Sequence, residues 1–472
     1  MNSSRALLDR GLSHCCRSSS WMALLAIAIA QYVITTSSVA GQATRTGGYK
    51  ETVLHGFTGL NSDGVNPLST PLVRDASGNL YGMTENGGAF GYGSVFELTS
   101  SGRVRVLHSF GSYTSGAVEP FGQMAMGAGG FLYGTTWAGG QYQYGTIFRI
   151  ATNGAVGRNR GSGFTTLYSF TNGIDGGDPS SGVIIDAAGN LYGVTWNAGA
   201  NGGGTLFQLT PGGQLNVLYN FGSNSSDGGF ALGLAMDTQG NIYGTDLLGG
   251  PYQNSNCLQS SYVAQFGCGV VFKVDPSGQE TLLHVFSGVD GDGGSPAGPP
   301  MLDSAGNLYG TTLVGGTGTC QGSWFPTGGC GTVFKIDAKG NYGVLYSFPG
   351  TGSRGAGPVG NLVMDSIGNF YGVTEDGASG NCDSNAIVGG GYYTGYPGCG
   401  VTFKLNAAGT ETILHRFSGL KRGGNPESGF IEDSANNLYG TTYSGGDINR
   451  CGSGLGCGTI FALSSAVQGD VR

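Results

Sequence analysis

The amino-acid sequence predicts an all-β fold on three observations. Glycine supplies 95 of the 472 residues while charged residues make up only 11%. Such a chain is too apolar for disorder and too poor in charge for long solvent-facing helices. Three short segments each recur seven times, about every 60 residues. Hairpin signals join them, with no helical stretch between. Together they describe a seven-bladed β-propeller of four-stranded antiparallel blades, in which radial repetition leaves only short, protected edges. Collagen is excluded, because glycine has no every-third-residue period and proline numbers only 15.

The first forty residues stand apart from this pattern. Arg5, Arg10 and Arg17 precede an apolar run from Trp21 to Ile34, and small residues follow as far as Val39 and Ala40. That order reads as a secretory signal peptide, residues 1–40, cleaved after Ala40. The run is shorter than the roughly 20 residues that span a bilayer, so a retained anchor is the alternative. Cys15 and Cys16 precede the run, which argues against lipoprotein attachment. The expected layout is then a short lead, residues 41–50, a repeat domain, residues 51–464, and a tail, residues 465–472. Without residues 1–40 the chain holds 18 basic and 28 acidic residues, a net charge of −10. No Lys or Arg cluster remains to track a phosphate backbone, so nucleic acid is not an expected partner. A soluble, secreted monomer is expected, with no membrane span in the mature chain and no cofactor.

The first repeated element is Val53-Leu54-His55-Gly56-Phe57, whose last aromatic recurs at Phe110, Phe170, Phe221, Phe286, Phe348 and Phe417. It is taken as the outer strand, D. A short apolar segment such as Pro71-Leu72-Val73 follows as inner strand A. An apolar-Tyr-Gly triplet marks strand B at Tyr81, Tyr133, Tyr192, Tyr243, Tyr309, Tyr371 and Tyr439. Strand C is centred on Phe96, Phe148, Phe207, Phe272, Phe334, Phe403 and Phe461. Turns such as Asp75-Ala76-Ser77-Gly78-Asn79 join A to B, with Gly and Asn expected at φ > 0. Asn153-Gly154 and Pro276-Ser277-Gly278 join C to D. The first D element precedes the first triplet and none follows Phe461. The N-terminal strand is therefore expected to complete the last blade, removing two free edges. A β-solenoid is the alternative, and it would leave that strand unpaired.

The set Asp303 to Thr312, Gly331 to Lys335 and Val106 to Phe110 resembles the choice-of-anchor tandem repeat GloVer-containing proteins. The resemblance runs over nearly all of residues 50–464. It implies a bacterial extracellular repeat protein with no established molecular activity. Such proteins carry varied C-terminal sorting signals, and none is read after Leu463. Repeat 2 departs from the pattern, with Gly127 in the place of Asp and Phe131 in the place of Asn.

Eight cysteines remain in the mature chain, two in each B–C loop of repeats 4 to 7. Local pairing is expected: Cys257 with Cys268, Cys320 with Cys330, Cys382 with Cys399 and Cys451 with Cys457. Zinc is the alternative, but the unequal spacings share no ligand pattern. His55, His108, His284 and His415 all occupy one place on strand D, filled elsewhere by Tyr168, Tyr219 and Tyr346. Being on different blades they cannot converge on an ion, and they read as packing residues. The Asp-Gly pairs of the D–A loops, such as Asp63-Gly64 and Asp290-Gly291, read as turns rather than calcium loops.

Glu85, Asp246 and Glu375 fall near the ends of B strands, where a glycoside-cleaving acid pair would be built if the protein were an enzyme. Trp137, Trp196, Trp324 and Tyr443 lie between strands B and C and are the expected binding residues. Rigid aromatic faces stack on sugar rings and anchor protein contacts at small entropy cost. The expected role is binding or scaffolding on the loop-rich face, with a carbohydrate or protein ligand. An extracellular polysaccharide-acting enzyme and a structural cell-surface component are the alternatives.

Overall fold

In the computed structural model the described residues are 48–59, 63–67, 71–111, 116–152, 163–222, 227, 231–251, 257, 267–320, 329–350, 354–378, 382, 398–447, 451 and 456–465. The expected signal peptide lies outside them. Seven antiparallel sheets follow one another along the chain as the blades of a propeller, each running A-B-C-D from the inner strand outwards. Blade 1 is built from Gly64–Pro67 and Val73–Arg74 (A), Leu80–Gly87 (B), Ser94–Leu98 (C) and Val104–Ser109 (D). The ring closes as the offset of the repeats requires. Tyr49–Gly56 pairs with Thr459–Ser465 and becomes strand D of blade 7, with Thr52 opposite Ala462 and Val53 opposite Phe461.

The three sequence motifs meet at one kind of joint. The Phe that follows each D strand packs its edge against the strand C Phe of the next blade. Ring centroids lie 5.2 Å apart for Phe57–Phe96, 5.5 Å for Phe110–Phe148 and 5.1 Å for Phe417–Phe461. All six of these rings are buried. The glycine of the Tyr-Gly triplet makes room for the strand C ring. A Cβ on Gly82 would come within 2.4 Å of Phe96, and one on Gly310 within 2.5 Å of Phe334. Glycine is required here by a close approach, and the repeat keeps all three residues together for that reason.

The A–B turn explains the Asp, Asn and Tyr of the repeat. Asp75 Oδ1 accepts from the backbone N–H groups of Ser77 and Asn79, and Oδ2 accepts from Asn79 Nδ2 and the Tyr81 hydroxyl. Asp186, Asp237, Asp303, Asp365 and Asp433 repeat the arrangement. The sequence expectation needs correcting at one point. Gly78 has φ +82°, whereas Asn79 serves as a hydrogen-bond donor rather than by positive φ. Asn436, in the glycine's place in blade 7, has φ +61°. In blade 2, Gly127 ends a long inner strand, Ala117–Gly127, and a short 3-10 turn, Ala128–Gly130, replaces the Asp cap.

The D-strand histidines serve this architecture too. His284 Nε2 donates to Asp292 Oδ1 at 3.2 Å and the ring stacks on Tyr342 of the next blade, with centroids 3.5 Å apart. Tyr168 and Tyr219 donate to Asp175 and Asp227 in the same way. His108 stacks on Phe164, and burial pushes its imidazole down to about 4. The D–A aspartates are therefore loop acceptors. Among the described residues no three His, Cys, Asp or Glu side chains stand close enough together to hold a metal ion.

Candidate functional site on the B–C loop face

Strand B presents one residue per blade at its end, four positions after the Tyr. These are Glu85, Trp137, Trp196, Leu247, Leu313, Glu375 and Tyr443 in blades 1 to 7. Asp246 is not among them, and the sequence grouping with Glu85 and Glu375 is corrected here. It pairs with Val270, one position earlier, where Thr84 pairs with Ser94 and Thr442 with Thr459. Side chains alternate along a strand, so this one-residue difference turns Asp246 to the other side. Its Oδ1 accepts the Leu248 N–H at 3.0 Å in a fully buried setting.

A second set of residues comes from an X-Pro dipeptide on the inner strand, at Asn66-Pro67, Glu119-Pro120, Asp178-Pro179, Ser295-Pro296, Gly357-Pro358 and Asn425-Pro426. Residue X sits in the left-handed region, with φ +55° at Asn66 and Glu119 and +54° at Asp178. That kink aims its N–H at the preceding blade. Asn66 N donates to Cys457 O at 2.9 Å, Asp178 N to Tyr144 O at 3.0 Å and Asn425 N to Cys399 O at 2.9 Å. The following proline seats on the glycine that opens strand C, so a Cβ on Gly331 would meet Pro358 Cδ at 2.4 Å. Strain at X and glycine at the seat are what the blade-to-blade seam requires.

At two seams the side chain of X also bonds across. Asn66 Nδ2 donates to Tyr443 O at 3.1 Å, and Asn425 Nδ2 donates to Glu375 O at 3.4 Å. At the next two seams X is acidic. Glu119 lies near enough to Glu85 for its charge to act there, and Asp178 holds the same kinked place one seam further on. Burial, then the charge of Glu119, raises the Glu85 carboxyl, while burial and then Asp178 raise that of Glu119. Burial also raises Asp178, partly offset by the hydrogen bond it accepts from Asn197.

Glu427, just after Pro426, extends the acidic arc into blade 7 and links Glu85 to Glu375. It is 3% exposed and Glu375 is 1% exposed, both too deep for an unpartnered charge. Burial raises both carboxyls well above the usual range. Asp376 and Glu427 add to the effect at Glu375, and Glu85 and Asp376 add to it at Glu427. Two of the three carboxylates singled out in the sequence, Glu85 and Glu375, thus belong to one arc. Glu119, Asp178 and Glu427 complete it. Sequence reasoning missed these three, although the recurring X-Pro dipeptide marked their place.

The aromatics divide in a similar way. Trp137 and Trp196 are half-buried and in contact, ring centroids 5.1 Å apart, and Phe121 packs on Trp137 at 5.4 Å. They stand on strand B itself, in Phe131–Gly139 and Leu191–Asn197, and pack against the largest apolar cluster among the described residues. Tyr443 is also half-buried, two blades from Trp137 across the closing 7–1 seam. Trp324 lies outside the described residues. Four disulfides join Cys257 to Cys268, Cys320 to Cys330, Cys382 to Cys399 and Cys451 to Cys457.

Comparison with known proteins gives the architecture relatives. The solved extracellular domain of a one-component system from B. thetaiotaomicron is 14% identical, with a TM-score of 0.50 over 90% of this chain and 42% of that one. The extracellular domain of a hybrid two-component system from the same organism is 13% identical, over 89% of this chain and 41% of that one, with a TM-score of 0.48. A gluconolactonase from Xanthomonas campestris is 14% identical over 75% of this chain and 87% of that one, TM-score 0.38. This chain spans less than half the length of the first two, and at such identities the likeness concerns the fold. No curated protein matches the sequence. The family model for the Gloeobacter/Verrucomicrobia repeat matches residues 40–258 and 257–384, most of the blades whose Phe-Gly joints and Asp-capped turns are described above. The chain belongs to the Gloeobacter/Verrucomicrobia repeat family.

Proposed function

We propose that this propeller is an exported binding protein that takes an extracellular carbohydrate on the B–C loop face. The observation that carries the reading is the Trp137–Trp196 pair, two touching indoles held half-buried by adjacent blades beside a carboxylate arc. Indoles fixed by a scaffold offer an apolar, pre-ordered platform for a sugar ring. Four disulfides support an oxidising compartment outside the cytoplasm. The propeller with a TM-score of 0.50 is the extracellular domain of a one-component system, a setting in keeping with ligand capture rather than turnover.

The test is a screen of the exported protein against polysaccharides, with product analysis of every mixture. Binding without cleavage, lost in the Trp137→Ala/Trp196→Ala double variant whose thermal transition is retained, is the expected result. Released oligosaccharides would replace this reading with the enzymatic one, and undiminished binding by the double variant would move the site elsewhere.

A further inference from the structure

The seams show where the acidic arc departs from what the scaffold needs. At the blade 6–7 and 7–1 seams, Asn425 and Asn66 donate a side-chain N–H to the backbone carbonyl of the facing strand B residue. Glu119 and Asp178 occupy the same kinked position before proline. An ionised carboxylate accepts only, so it cannot make the amide's bond to a carbonyl. Sequences break a local rule of this kind chiefly at functional sites.

A second, independent observation lies deeper in the same arc. Glu375 Oε2 and Glu427 Oε1 are buried with no hydrogen-bond partner. Neither residue, nor Glu85, takes part in the ion pairs formed among the described residues. Buried carboxylates without a counter-charge are costly, so each holds a proton or waits for a cation. A calcium ion needs six to eight oxygens at about 2.3–2.6 Å, and no trio of acidic side chains here is that tightly gathered. An ammonium is satisfied by separate oxygens at about 2.7–2.9 Å, which a spread arc provides. Glu119 lies between Val118 and Pro120, whose partners Ala138 and Thr136 flank Trp137, and Trp196 packs on Trp137.

We propose that Glu85, Glu119 and Asp178, the half-buried carboxylates of the arc backed by the buried Glu427, receive protonated amines of the ligand while Trp137 and Trp196 stack on its ring, so that the ligand class is an oligosaccharide of unacetylated amino sugars. This rests on the carbohydrate reading above and narrows it. Cation–π attraction at the indoles acts in the same direction as the carboxylates.

The experiment titrates the exported, disulfide-bonded protein with a glucosamine hexamer, its fully N-acetylated counterpart and calcium chloride alone, by calorimetry and Trp fluorescence. The free amine hexamer should bind and perturb the Trp emission, and raising the salt to 0.5 M should weaken it (about 3 Å screening length at 1 M against 10 Å at 0.1 M). Glu119→Asn is the informative variant, because asparagine is what Asn66 and Asn425 place at the same kink. It should fold with an unchanged or higher Tm and weaken the hexamer at least tenfold, and Asp178→Asn should do likewise. Equal binding of the acetylated hexamer would overturn the amine assignment while leaving the carbohydrate reading intact. Full affinity in Glu119→Asn and Asp178→Asn would overturn it as well. So would calcium binding that displaces the amine, or a failure of the amine hexamer to bind where the polysaccharide screen finds a neutral ligand.

Discussion

Replacing Phe57 with alanine tests ring closure at a single side chain. Phe57 follows strand Tyr49–Gly56, which blade 7 takes from the other end of the chain, and it fills the blade 7–blade 1 joint against Phe96 at 5.2 Å. Phe110 fills the blade 1–blade 2 joint against Phe148 at 5.5 Å, and both rings are fully buried. A buried Phe→Ala change costs about 3–5 kcal/mol through lost transfer energy and the cavity left behind. With an unfolding entropy of about 2.1 cal/mol/K per residue over about 400 residues, that lowers Tm by about 4–6 °C. Calorimetry on Phe57→Ala and Phe110→Ala should give equal losses, because in a closed ring the terminal strand is held as firmly as any other. A loss at Phe110 with an unchanged Tm at Phe57 would refute the closure, showing that the N-terminal strand is a dispensable edge.

The disulfides and the buried carboxyls make separate predictions. Non-reducing peptide mapping should find the four sequence-local pairs, and replacing Cys257 and Cys268 together with serine should cost about 2–3 kcal/mol, read as a lower Tm; equal stability with and without reductant would contradict this. Glu375→Gln should raise Tm at pH 8 and have no effect at pH 4. The carboxyl's folded-state pKa is raised by burial, then Asp376 and Glu427. The folded state therefore binds the proton more tightly, and stability present below about 4.5 is lost as pH rises. An equal gain at both pH values would show that packing rather than ionisation is responsible. The turn aspartates set the opposite limit. At Asp303 burial raises the carboxyl, but its bonds from Asn307 and Tyr309 outweigh this and lower it. Their stabilisation is lost only as pH falls below the ordinary Asp range.

Much of the propeller was legible in the chain because each blade repeats one solution to local problems. Tyr81, Gly82 and Phe96 recur together because the ring of one strand lies over the glycine of its neighbour, and Asp75 and Asn79 recur because they close the turn between A and B. Blade number, strand order and the offset that leaves the first strand for the last blade all follow from counting these motifs. The cysteine pairs were equally legible, since each B–C loop of blades 4 to 7 holds two. The candidate site was legible only in part. Trp137, Trp196, Glu85 and Glu375 were visible as residues at the end of strand B, but a one-residue register difference excludes Asp246, and only the pairing of strands reveals it. That Glu119, Asp178 and Glu427 stand in one arc with them was decided by tertiary structure. These residues are far apart in sequence, and they meet because the kinked residue before each proline reaches across to the preceding blade, bringing carboxylates of successive blades into one low-dielectric rim where each raises the next.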